Sequence, residues 1–174
     1  MKKLPPSQSN SVIKGLENIG LEYLAYLPDS TMKKIIDYFD HKKSTTLIPL
    51  AREEEGIGIL AGLEACKKKA VLMIQDSGLG NLLNSMVTLG SLYKIPIFIV
   101  AVRRGGFQEY NVANAEFGEI ATELVGASRS MGFILDYKVP LEKWAYVVEE
   151  AYNYAHFMTK PIILFINLKD ESKL

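Results

Sequence analysis

Two short runs constrain this chain most: Ala70-Val-Leu-Met-Ile74 and Ile97-Phe-Ile-Val-Ala-Val102. Each is wholly apolar, with no polar residue at alternate positions, and each is too short for a buried helix. A strand apolar on both faces needs cover on both faces, which is the situation inside a parallel sheet flanked by two helical layers. The rest of the chain supplies those layers. Val12, Ile13, Leu16 and Ile19 recur at helical spacing within residues 9–19, and Gly20 follows as a stop. Ser30 is placed to cap a helix to about Phe39, with Met32, Ile35, Ile36 and Phe39 on one face. Further helices are expected over residues 52–66, 80–93, 119–131 and 141–158, and strands over 22–27, 45–50, 133–138 and 161–167. Residues 103–117 show no period and read as a loop.

About six strands, each but the last followed by a helix, predict an α/β fold: a three-layer α/β/α domain over residues 1–174 with a parallel sheet and right-handed crossovers. Ligands of such sheets sit beyond the carboxyl ends of the strands. The places to look are therefore residues 28–30, 52–55, 76–81 and 103–107. Composition narrows the partners. Twenty basic residues balance twenty acidic ones, which argues against nucleic acid. The lone Cys66 excludes a disulfide framework and a cysteine zinc cluster. No apolar run approaches the roughly 18 residues of a membrane span, and none follows the lysines and prolines of residues 1–8, so neither a membrane nor a signal peptide is expected and the compartment reads as cytoplasmic.

Several features read as structural. Gly56-Ile-Gly-Ile-Leu-Ala61 fits a loose dinucleotide pattern, but Glu53, Glu54 and Glu55 would repel a pyrophosphate there, and the glycines fall inside a helix. They are expected to let that helix pack closely. Cys66 is expected to be a buried structural thiol, His41 and His156 surface or packing residues, and Lys67 to Lys69 a solvated turn. With two histidines and no carboxylates clustered on neighbouring turns, no protein-only metal site is expected.

Two segments carry chemistry. In Ala51-Arg-Glu-Glu-Glu-Gly56, three acids exceed what capping needs, and successive residues point different ways around a helix, so at least one should face the strand ends. A carboxylate there could hydrogen-bond a ring nitrogen and change its basicity. In Gln75-Asp-Ser-Gly-Leu-Gly-Asn81, Gly78 and Gly80 permit close approach of a backbone or flat ligand, with Ser77 or Asn81 as a cap, and Leu79 could rest against a ligand ring or a partner chain.

Together these segments resemble the alpha subunits of sulfopyruvate decarboxylases and, somewhat less, phosphonopyruvate decarboxylases, both thiamine diphosphate enzymes. Leu27-Pro-Asp-Ser30, Tyr93-Lys-Ile-Pro96 and Arg104-Gly105 fall in the same order as in that family, so the likeness spans nearly the whole chain. The resemblance implies a pyrimidine-binding domain. Magnesium and the diphosphate would be held by a separate beta subunit carrying Gly-Asp-Gly, a motif this sequence lacks. It implies that Glu53 hydrogen-bonds N1′ of the aminopyrimidine and favours its imino tautomer, as the catalytic and cofactor-binding residue. Glu54 and Glu55 are left as caps or interface contacts. Pro28, Gly78, Leu79, Gly80 and Asn81 would pack beside the cofactor, and Ser30 would contact an anionic 2-oxoacid; Arg104 is assigned to the substrate's sulfonate or phosphonate by its charge alone. Sulfopyruvate, giving sulfoacetaldehyde and carbon dioxide, is the expected substrate. Phosphonopyruvate is the alternative, and a non-catalytic pyrimidine-type binding module is the reading from another class. Homo-oligomers are expected as well. Asp76 departs from the family's usual Asn, and residues 111–116, where the family commonly has a Gln, offer Asn114 and Ala115.

Overall fold

The computed structural model describes residues 7–105, 109 and 111–168. Six strands, β1 (Tyr23–Tyr26), β2 (Thr46–Pro49), β3 (Ala70–Gln75), β4 (Phe98–Val102), β5 (Met131–Leu135) and β6 (Ile162–Ile166), form one sheet in the order β2-β1-β3-β4-β6-β5. Every pairing is parallel. The helices are α1 (Gln8–Ile19), α2 (Lys33–Lys42), α3 (Glu53–Ala65), α4 (Leu79–Ser85), α5 (Val112–Ala127) and α6 (Trp144–Met158).

The two apolar runs become the central strands, and the pleat explains why both needed to be apolar throughout. Val71 and Met73 of β3 join a cluster with Leu16 of α1, Phe39 of α2 and Trp144 of α6. Their neighbours Leu72 and Ile74 join Ile57 of α3, Leu82 of α4 and Val125 of α5 on the opposite side. Consecutive residues thus serve different cores, giving the expected three layers. Burying each large apolar side chain contributes about 1.5–3 kcal/mol. Gly20 ends α1 in the left-handed region at φ 74°, where its amide satisfies the last carbonyls.

Four local expectations change. Asp29, not Ser30, is the cap: Asp29 Oδ1 accepts the Thr31 amide at 2.8 Å, and Ser30 opens a 3-10 turn ahead of α2. The helix expected over residues 80–93 starts at Leu79 and widens after Ser85 into a π-helical segment over Met86–Ser91. The expected loop over 103–117 includes the first turns of α5, capped by Asn111, whose Oδ1 accepts the Ala113 amide at 3.1 Å. The buried residues of α5 include Gly118, Ala121 and Val125, mostly small, so the apolar signal is weak. Finally, Cys66 is exposed rather than buried, because it lies just past the end of α3. Among the described residues, no helix is long and apolar enough to cross a membrane, and no group of His, Cys, Asp and Glu could hold a metal ion.

The remaining decoys have structural roles. Lys68 pairs with Glu22 at 2.9 Å and Lys69 Nζ donates to the Ile19 carbonyl at 2.8 Å. His156 bridges the Tyr152 carbonyl and Glu64. Gly56 lies so close to the sheet that a Cβ would sit 2.6 Å from Leu72 Cδ1, whereas Gly58 and Gly62 face open space.

Candidate active site at the strand ends

The chain leaves β1 for β2 on one side and returns to β3 on the other, so the sheet has a topological switch point between β1 and β3, where its crevice opens. The four segments singled out from the sequence follow β1, β2, β3 and β4, which are neighbours in the sheet.

The three glutamates divide their work. Glu55 Oε2 reaches back to the amides of Ala51 (3.1 Å) and Arg52 (3.3 Å), satisfying donors that a helix start leaves open. Glu54 pairs with Arg52 Nε at 2.7 Å. Glu53, the first residue of α3, turns inward and is only 8% exposed. Asn81 Nδ2 donates to Glu53 Oε2 at 2.8 Å, and no donor among the described residues reaches Oε1. The Glu53 side chain lies across the bare backbone of Gly78, where a Cβ would be 2.6 Å from Glu53 Cγ and 2.7 Å from Oε1. A buried carboxylate with one oxygen oriented and the other free can accept from, or donate to, one further polar group.

Leu79 does not sit in a loop. It begins α4 and is buried in the core with Ile57 and Leu82. Gly80 is exposed, with the Phe117 ring edge 3.4 Å from where its Cβ would be. Pro28 and Ser30 are exposed at the end of β1, and neither has a hydrogen bond to Glu53.

Arg104 is engaged. Its Nε and Nη2 donate to the two oxygens of Glu109 at 2.7 and 3.1 Å, and Nη1 reaches Asp29 Oδ2 at 3.4 Å. Arg104 holds the Glu109 carboxyl down to about 2, helped by the Asn111 amide. Asp76, wholly buried, accepts the Arg104 amide on Oδ2 at 2.9 Å, and its Oδ1 has no hydrogen-bond partner among the described residues. Burial raises the Asp76 acid above the ordinary aspartate range, and the Arg104 amide opposes it. The Arg104 carbonyl rests on α5, where a Cβ on Gly118 would fall 2.3 Å from it. Gln75 Nε2 donates to Asn114 Oδ1 at 2.8 Å, tying β3 to the same helix.

The chain is 34% identical over 117 residues to the sulfopyruvate decarboxylase alpha subunit of Methanococcus maripaludis, covering 67% of this chain and 70% of the relative. It belongs to the sulfopyruvate decarboxylase alpha-subunit family. The sulfopyruvate decarboxylase of Methanosarcina acetivorans is 34% identical over 107 residues, which are 62% of this chain but only 27% of that longer one. Among solved structures, the 2-oxoglutarate:ferredoxin oxidoreductase of Magnetococcus marinus, with 2-oxoglutarate, coenzyme A and succinyl-CoA bound, shares the fold at TM-score 0.69 and 17% identity, covering 93% of this chain and 29% of that one. No family model matches.

Membership explains which features sequence patterns bring out and which they miss. Glu53, Gly78 and Asn81 belong to the motifs that resemble the family and meet in space. Of the two residues that hold Arg104, Asp29 lies within Leu27-Pro-Asp-Ser30, although nothing there marks it as an arginine partner, and Glu109 belongs to no motif. Glu109 gives no signal beyond its spacing of five residues from an arginine.

Proposed function

We propose that this family member is the alpha subunit of a thiamine diphosphate-dependent 2-oxoacid decarboxylase, acting on sulfopyruvate together with a beta subunit. The observation that carries the reading is the Glu53 carboxylate, buried, oriented by Asn81 and free on Oε1 beside the backbone that Gly78 leaves bare. An aminopyrimidine ring fits those residues: it needs a dry carboxylate for one ring nitrogen and a flat surface free of side chains. Glu53 would accept from and donate to N1′, holding the proton on which the imino tautomer depends. Asn81 would orient Glu53, and Gly78 and Gly80 would let the ring approach. Leu79, in the core beneath, would hold that turn rigid, while Pro28 would close the rim. When bound, thiamine diphosphate supplies an electron sink once carbon dioxide leaves.

Magnesium and the diphosphate are assigned to the partner, because this sequence has no Gly-Asp-Gly. The Methanosarcina relative supports that division, since the region similar to this chain is 27% of a much longer polypeptide. Ser30, exposed at the end of β1, and Arg104 would meet the oxoacid. Symmetric assemblies of such pairs, in the cytoplasm, complete the reading.

The test is carbon dioxide release from sulfopyruvate, with thiamine diphosphate and magnesium, by this chain alone, by its candidate beta chain and by the mixture. Activity in the mixture alone is expected. A formed complex that releases nothing from sulfopyruvate would overturn the substrate assignment. Turnover of phosphonopyruvate in its place would select the alternative acid, and no turnover of either would select the non-catalytic module.

A further inference from the structure

Glu109 has four N–H donors around one carboxylate, all from residues 104–111. They are Arg104 Nε at 2.7 Å and Nη2 at 3.1 Å, the Asn111 amide at 2.9 Å and the Gly105 amide at 3.5 Å. The pair is sheltered, with side chains 19% and 8% exposed. Such a cluster of a guanidinium fork and backbone amides is a receptor for a small oxyanion, because a fork and amides offer the same donors to any group with two oxygens at similar spacing. Every hydrogen bond the Glu109 side chain makes runs through its two oxygens, so another oxyanion can take all of them. The receptor is joined to the candidate site. Asp76 Oδ2 binds the Arg104 amide, and two residues further on Gly78 carries the Glu53 side chain.

We propose that Glu109 is an internal stand-in for the terminal anion of the substrate, occupying a site built for a sulfonate or phosphonate group. The inference rests on the oxoacid reading above and adds its specificity device. A 3-substituted pyruvate bearing a terminal oxyanion displaces Glu109 from Arg104. An oxoacid without one, such as pyruvate, has nothing with which to do so and leaves the guanidinium neutralised by Glu109 and Asp29. Occupation by the chain's own carboxylate therefore sets a threshold that only doubly anionic substrates cross.

Glu109→Gln keeps the shape of the side chain and removes its charge. The experiment titrates the full chain, and the complex with its partner, with methanesulfonate and with methylphosphonate, following the Nε–Hε resonance of Arg104 by NMR. Loss of a charge-assisted competitor of this kind should tighten binding about tenfold or more. Glu109→Asp, which withdraws the charge by one methylene, should give a smaller gain and serves if E109Q fails to fold. Arg104→Gln, followed through the Gly105 amide resonance instead, should abolish binding. Preference for one probe identifies the terminal group. Were Glu109 merely a structural tie for Arg104, E109Q would weaken binding or leave it unchanged, and that result overturns the proposal. A complex that decarboxylates nothing, with the tightening still present, would sink the oxoacid reading and leave the anion site standing. An active complex without the tightening would do the reverse.

Discussion

Gly78 has an ordinary helical backbone, so alanine costs it nothing in conformation; its restriction comes from Glu53, whose flexible side chain occupies the place of a Cβ. Gly78→Ala should therefore leave thermal unfolding nearly unchanged while displacing the carboxylate and lowering turnover of the assembled enzyme, with melting temperature and kcat measured on the same sample. Glu53→Gln should lower turnover by roughly 10²–10⁴, the scale of a lost acid–base role; near-normal turnover would remove Glu53 from the chemistry. Asp76 gives a pH signature. Its acid is raised by burial, so the folded chain holds that proton more tightly than the unfolded one. The resulting stability is full below the usual aspartate value of about 3.9 and is lost as pH rises through the higher folded value. Asp76→Asn should remove that decline, so its stability relative to wild type should grow as pH rises across this window. Urea unfolding at a series of pH values checks it, and a flat difference would mean that folding leaves the proton affinity of Asp76 unchanged.

Elements bring these residues together through close backbone contact. The segment after β4 is held against α5 because Gly118 leaves room for the Arg104 carbonyl. Gly118→Ala meets backbone rather than a flexible side-chain end, so the segment must move. A cost of about 1–3 kcal/mol is expected in urea unfolding, with a raised KM for the oxoacid as Arg104 shifts. A KM unchanged despite the lost stability would detach Arg104 from substrate binding. The start of α5 also shows where pattern reading stops. A helix that packs by Gly118 and Ala121 has little apolar period to find, so its N-cap, Asn111, stands in a stretch that reads as loop. α3 was easier to read, since its acids stand at the start of a helix directly after a strand.

For the molecule as a whole, the sheet separates two cores. Leu16 and Leu82 are fully buried on opposite sides of it. Leu16→Ala and Leu82→Ala should each cost about 2–5 kcal/mol, and the double variant should equal their sum within roughly 0.3–0.5 kcal/mol, because no side chain is shared. Stronger coupling in a urea-based double-mutant cycle would mean that the sheet transmits packing changes between its faces.

The layers, and the strand ends at which the candidate segments gather, were legible in the amino-acid sequence. Apolar runs that cannot meet water demand cover on both faces, and alternation of strands and helices puts four candidate segments at the same strand ends. The sequence also determined that one of three consecutive glutamates must turn inward, because a helix rotates each residue away from the last. The family resemblance names Glu53, whereas residue chemistry alone leaves the three open; the tertiary structure turns Glu53 inward by placing bare Gly78 and the Asn81 amide beside it. It likewise decided that Arg104 meets Glu109 and Asp29, that Asp76 clasps the Arg104 amide, and that Leu79 turns into the core. Those contacts join residues up to 75 positions apart or within an aperiodic stretch. Periodicity reports which face of an element is apolar, and only the folded chain sets which polar groups meet.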